Sequence, residues 1–159
     1  MIEVLRADDT DVEALRPLWN ALRAHHHAVA PAFGELRPEP EGWELRARDY
    51  RDILEEGGAL FVARDGERLV GMAICEPDEG RSATWPYPRR FLHVVDLVVL
   101  PQARGERVGE RLMAAAEAEA RARGYDAVDL MVAGPNDGAR RFYERLGYDA
   151  DLVVYRKRV

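Results

Sequence analysis

The spacing of apolar positions changes several times along the chain, and each change marks an element. Ile2–Arg6 alternates at its start and predicts a first strand. From Val12 the spacing becomes helical, with Val12, Leu15, Leu18, Trp19 and Leu22 on one face. That predicts a helix from a cap at Thr10 or Asp11 to about Ala28. Three prolines and two glycines between Pro31 and Gly42 predict a loop, followed by a helix from Trp43 to Glu55 that Gly57-Gly58 ends. Two strand-like runs, Ala59–Arg64 and Leu69–Cys75, flank the hairpin turn signal Asp65-Gly66. Glu76 to Arg90 is polar and carries Pro, Trp85 and Tyr87, and reads as a loop. The rest predicts strand Phe91–Leu100, helix Val108–Arg123 closed by Gly124, strand Ala127–Val132, helix Asp137–Leu146 and a closing strand Leu152–Arg156. The order β-α-α-β-β-β-α-β-α-β is an α/β arrangement: a mixed, mostly antiparallel sheet flanked by about four helices.

Composition narrows the classes. With 159 residues, no repeat and no linker, the expectation is one domain over 1–159, large enough for a substantial core. No apolar run approaches the ~20 residues that span a bilayer, and the start shows no signal-peptide pattern, so the expected location is cytoplasmic, with no membrane partner. One cysteine, Cys75, excludes an internal disulfide and a cysteine-based metal site. It ends the apolar run Leu69–Cys75 and reads as a buried structural thiol rather than a nucleophile. The net charge of −6 argues against nucleic acid, and the closing Arg156-Lys-Arg158 reads as a solvated end. His25-His26-His27 invites a metal reading, but adjacent helical residues point about 100° apart and cannot converge on one ion. No metal is expected.

Candidate chemistry concentrates in two strand–turn–helix units. Phe91–Leu100 runs into Pro101-Gln-Ala-Arg-Gly-Glu-Arg-Val-Gly109, where proline stops the ladder and Gly105 and Gly109 permit close backbone approach to a ligand. A helix N-terminus with free N–H groups attracts an anion, and Arg104 and Arg107 can add charge-assisted bonds. The anion suggested is a coenzyme pyrophosphate; the bland alternative is a plain loop with surface arginines. In the second unit Asn136 is placed to cap a helix that carries Ala139, Phe142, Tyr143 and Leu146 on one face, with Gly147 as its left-handed end.

Gln102–Gly109 resembles the acyl-CoA pyrophosphate loop of the GNAT N-acetyltransferase superfamily. Asn136-Asp-Gly-Ala-Arg-Arg-Phe-Tyr-Glu-Arg-Leu-Gly-Tyr148 is similar to that family's Asn-x-x-Ala-x-x-Phe-Tyr-x-x-x-Gly-aromatic segment. The resemblance implies acetyl-CoA as cosubstrate, with its arm lying between splayed fourth and fifth strands. Leu97, Val98 and Val99 would pair with that arm, and Arg104, Gly105, Glu106, Arg107, Val108, Gly109 and Glu110 would hold the pyrophosphate. Asn136, Ala139 and Phe142 would also contact the coenzyme, and Tyr143 would protonate the departing thiolate. Arg107 departs from the family pattern, which often has Gly or Ala there; its side chain must point away from the phosphates or clasp them. The first two helices and the loop between them would shape the acceptor pocket, with the histidine run as a wall or simply a helix end that the dipole favours, and with Trp43, Trp85 and Tyr87 lining it or covering the sheet edge.

Direct amine attack on a thioester needs a proton donor for the thiolate, a donor for the carbonyl oxygen (here a backbone N–H near Val98) and a route for the amine's proton. An alkyl ammonium of pKa about 10.4 must lose that proton first. Asp96 is the first candidate base, with His93, Asp129 and Glu76 as others; a regular strand puts His93 and Asp96 on opposite faces, and a bulge changes that. The alternative is a structural Asp96, with bulk water taking the proton. The expected activity is acetyl transfer to a primary amine of a small molecule or peptide. Its rival is a non-catalytic acyl-CoA-binding regulatory module. The acidic Glu76-Pro-Asp-Glu79 is compatible with a cationic acceptor but reads better as a solvated loop. A homodimer through sheet edges or Leu152–Tyr155 is compatible with the pattern, though nothing requires it.

Overall fold

The protein is described by a computed structural model covering residues 1–7, 9–79 and 90–157; Trp85, Tyr87 and Arg158 lie outside the described residues. The strands are β1 (Ile2–Ala7), β2 (Ala59–Asp65), β3 (Arg68–Asp78), β4 (Phe91–Val99) and β5 (Ala127–Leu130). The α-helices are α1 (Arg16–Val29), α2 (Glu39–Glu55), α3 (Val108–Ala122) and α4 (Asp137–Arg145). The strands lie in sequence order in one sheet, antiparallel except for the parallel β4–β5 pair. The connection between those two parallel strands runs through α3.

Side-chain alternation gives the sheet two buried faces. Ala59, Phe61 and Ala63 of β2 pack with Leu112, Met113, Ala116 and Ala120 of α3. Leu60 and Val62 face the other way, toward Leu18, Trp19, Trp43, Tyr50 and Ile53 of α1 and α2. At the junction of α2 and β2 the chain turns so tightly that a Cβ on Gly58 would sit 2.5 Å from Ile53 Cγ2 and 2.6 Å from the Cys75 carbonyl oxygen. Gly58→Ala is expected to cost about 1–3 kcal/mol through overpacking, read as a lower urea midpoint at unchanged m-value.

Several element boundaries differ from the sequence expectation. A 3-10 segment, Asp9–Leu15, precedes α1, which starts only at Arg16 with Pro17 in its first turn and no side-chain cap. The second helix starts four residues early, at Glu39, because Pro40 fits the first helical turn and Gly42 packs against the Trp19 ring. Strand β3 continues through Glu76 to Asp78, paired to β4, where a loop was expected.

The closing strand Leu152–Arg156 is absent among the described residues. Leu152, Val153, Val154 and Tyr155 are instead 84%, 72%, 79% and 93% exposed. An apolar run becomes a strand only where an edge takes its hydrogen bonds. Strand β5, which ends at Leu130, presents just four residues.

Candidate active site

The turn between β4 and α3 leaves a row of unused donors. Arg104 N–H closes a turn onto Pro101, and Arg111 N–H bonds Arg107. Among the described residues, none of the six N–H groups from Gly105 to Glu110 has a main-chain acceptor, and no side chain caps the helix. Gly105 has φ 86° and Arg107 φ 57°, the kind of left-handed step that turns neighbouring amides toward a common anion. Such a row, at a positive helix end, suits a phosphate.

The Arg107 side chain donates to Glu110 at 2.6 Å and is largely solvent-exposed. As the one non-glycine residue with positive φ among those described, it holds a conformation that costs an L-residue about 1–2 kcal/mol. Arg107→Gly is therefore expected to raise stability by about 0.5–1 kcal/mol after loss of the exposed ion pair, measured by urea unfolding.

Next to this turn, β4 pairs with β3 along its length but with β5 only from Phe91 to Val94. From Val95 onward its second edge is open. The opening coincides with a register shift between Ile74 and Cys75 that leaves Val95 without a Cα partner. This bulge puts Val95 on the α1/α2 face together with Asp96, while Leu92, Val94, Leu97 and Val99 face α3. His93, between Leu92 and Val94, falls on Asp96's side, but its ring pairs with Asp129 at 2.8 Å rather than with Asp96. Bonding to Asp129 holds the His93 imidazole above its usual pKa.

Main-chain polar groups on β4 alternate in direction. Leu100 N–H bonds Val70 on β3, and the Val99 carbonyl accepts from Arg104 Nε at 3.3 Å. By that alternation Val98 points its N–H toward β3, and Leu97 and Val99 point theirs into the opening. The donors available near Val98 are thus those of its two neighbours.

Helix α4 packs Phe142, Tyr143 and the following Leu146 against the α3 side of the core. Asn136, buried, caps it by accepting from Ala139 N–H at 3.2 Å. Phe142 packs against the start of α3, where a Cβ on Gly109 would come 3.1 Å from its Cζ. Tyr143 stacks edge-on against Phe142 and Tyr148, with centroids 5.1 and 5.8 Å away. Burial, and then the Asp96 charge, push its phenol up to about 12. It therefore keeps its proton throughout the physiological range.

On the other face of the sheet, α1, α2 and the linker between them border an open pocket of about 310 Å³ with Asp96 among its lining residues. Asp96 is only 8% exposed and accepts from Tyr50 OH at 2.6 Å. Arg46 stands 3.8 Å from it. Desolvation raises the Asp96 pKa, against the pull of Arg46, the Tyr50 hydrogen bond and His26. Desolvation lowers that of His26, which also lines the pocket. A carboxylate whose pKa is raised above the usual range is a stronger base than an ordinary aspartate, which suits proton abstraction.

Tyr50 was missed from sequence. Its signal was a phenol on the buried α2 face, with Trp43, Ala47 and Ile53, whose hydroxyl needs a partner. Trp43 is core, 5.6 Å from Trp19 and bonded to Glu13, and does not line the pocket. Cys75 is fully buried and its thiol is pushed up to about 12, as a structural thiol should be. Among the described residues no cluster of three or more His, Cys, Asp or Glu is able to hold a metal ion, and no helix is long and apolar enough to cross a membrane.

Residues 20–148 match the Acetyltransferase (GNAT) family model, and the chain belongs to that family. N-alpha-acetyltransferase 30 of Schizosaccharomyces pombe is 31% identical over 96 residues, covering 60% of this chain and 61% of that protein. A mycothiol acetyltransferase of Propionibacterium freudenreichii is 30% identical over 151 residues, covering 92% of this chain and 43% of its own. The chain thus spans about half the length of these relatives. The solved structure of aminoglycoside N-acetyltransferase AAC(6')-Iy in complex with CoA overlays with a TM-score of 0.73 at 18% identity. It covers 100% of this chain and 96% of that one, and the two share the fold.

Proposed function

We propose that this chain acts as one acetyl-CoA-dependent N-acetyltransferase domain over residues 1–159, moving acetyl directly to a primary amine of a small molecule or peptide. The observation that carries the reading is the position of Asp96. It lines the α1/α2 pocket, and its charge is the second cause, after burial, that raises the Tyr143 phenol, so the candidate base and acid lie within electrostatic reach of each other. The row of N–H groups from Gly105 to Glu110 fits a pyrophosphate, and Arg104 adds charge once it leaves the Val99 carbonyl. The open edge of Leu97, Val98 and Val99 suits an amide-bearing arm, with Asn136, Ala139 and Phe142 walling it. Asn136 Nδ2 stays available because the cap uses only Oδ1.

Acetyl-CoA, when bound, supplies the thioester. Asp96 takes one proton from the acceptor ammonium and passes it toward solvent past His26, whose pKa burial lowers. The freed amine forms the C–N bond while the C–S bond breaks, and Leu97 or Val99 N–H supports the carbonyl oxygen as charge develops on it. Tyr143 donates to the departing sulfur. With the phenol at about 12 and a thiol near 8.5, complete transfer is uphill in isolation. Tyr143 therefore acts first as a hydrogen-bond donor and gives up its proton as the nitrogen's second proton replaces it. Of the three ammonium protons, one stays on the amide, one ends on the thiol and one reaches solvent.

The test is free-thiol release from acetyl-CoA against polyamines, aminoglycosides, amino acids and short peptides. Release above hydrolysis with one amine class is expected. Coenzyme binding with no release across the panel would favour the regulatory-module reading instead.

A further inference from the structure

Charge around the α1/α2 pocket runs against the charge of the chain. The protein carries −6 overall, yet the lining includes three guanidinium groups, Arg23, Arg37 and Arg46, against two carboxylates, Asp49 and Asp96. Arg37 is satisfied by Glu41 at 2.6 Å. Arg46 stands 3.9 Å from Asp49 and 3.8 Å from Asp96, beyond hydrogen-bond length in both cases. Arg23 lies over the Trp19 ring at 4.9 Å and donates to the Arg37 carbonyl; among the described residues no carboxylate comes within ion-pair distance of it. Two cations thus face a pocket of about 310 Å³ with donors unspent, on the same cavity as the buried Asp96.

Resting on the acetyltransferase reading above, we propose that the acceptor is a small amine carrying its own anion, a carboxylate or phosphonate. The anion is gripped by Arg23 and Arg46 while the amine reaches Asp96. A guanidinium fork matches either anion in bidentate geometry, and stacking on Trp19 keeps that of Arg23 pre-oriented. The same three guanidinium groups repel a second ammonium, so polycations are disfavoured. This replaces the cationic preference that Glu76-Pro-Asp-Glu79 alone was compatible with.

The experiment compares glycine, β-alanine and aminomethylphosphonate with glycinamide, β-alaninamide, propylamine and spermidine, by thiol release and by calorimetric binding to the CoA-loaded protein. At least a tenfold preference in kcat/KM for anion-bearing amines is expected. Arg23→Gln should collapse that ratio through KM, and Arg23→Lys should restore part of it. Comparing carboxylates with the phosphonate shows which anion is used. Thiol release with no such preference, or a ratio that Arg23→Gln leaves intact, overturns the subsite while leaving the transferase standing. Selective binding of the anionic amines without release upholds the subsite and overturns the transferase. Neither release nor selective binding overturns both.

Discussion

Replacing Tyr143 with phenylalanine is expected to lower kcat by about 10²–10⁴-fold at saturating acetyl-CoA, with little change in the KM for acetyl-CoA. The hydroxyl is absent but the ring remains, so the edge-on contacts with Phe142 and Tyr148 persist and the fold is kept. An effect confined to kcat means the lost interaction belongs to the transition state. Because burial and Asp96 hold the phenol up at about 12, the wild-type rate should show no loss of this acid across the range where an ordinary tyrosine ionises. A wild-type descending limb near pH 10 that vanishes in Tyr143→Phe would contradict that environment. Unchanged turnover in the variant would remove Tyr143 from the chemistry.

Asp96→Asn should separate activity from stability. Asparagine still offers an oxygen to Tyr50 OH, so the Tyr50 hydroxyl keeps its acceptor. The variant cannot take the amine's proton, and kcat/KM for the acceptor should fall by about 10²-fold or more at neutral pH. The wild-type rising limb, set by Asp96 ionising above the usual carboxylate range, should disappear with it.

Stability should move the other way. The folded state holds the Asp96 proton more tightly than the unfolded chain, whose carboxyl titrates near 3.9. The fold therefore gains from Asp96 below that pH and loses the gain as pH rises through the raised folded value. Above the raised folded value the buried charge opposes folding, so there the Asn variant should unfold at an equal or higher urea midpoint. Its advantage should shrink as pH falls. Full activity in the variant would make Asp96 structural and leave proton removal to bulk water.

What the sequence could and could not disclose follows from how far apart the cooperating residues lie. Asn136, Phe142 and Tyr143 sit within one helical segment, where spacing alone sets their relative placement. The turn from Gln102 to Gly109 was legible for the same reason. The Tyr50–Asp96 hydrogen bond joins residues 46 apart, and no local spacing encodes that meeting. The bulge at Val95 was equally hidden. Phe91–Leu100 reads as an even apolar run, and only its register against β3 shows which residue is skipped. Arg23, Arg37 and Arg46 lie far apart in sequence, and α1, the linker and α2 bring them to one pocket only after packing. The run Leu152–Tyr155 carried a strand's composition without an edge long enough to receive it.

Direct transfer is the centre of this account, and a single-turnover measurement tests it most directly. Enzyme in excess is mixed with acetyl-labelled acetyl-CoA and an amine that supports thiol release, quenched at short times, and the label is located. Direct transfer requires label to pass from coenzyme to amine with none covalently held on the protein, and much more slowly in Tyr143→Phe. Label accumulating on a protein side chain before it reaches the amine, or equal rates in the two proteins, would contradict it.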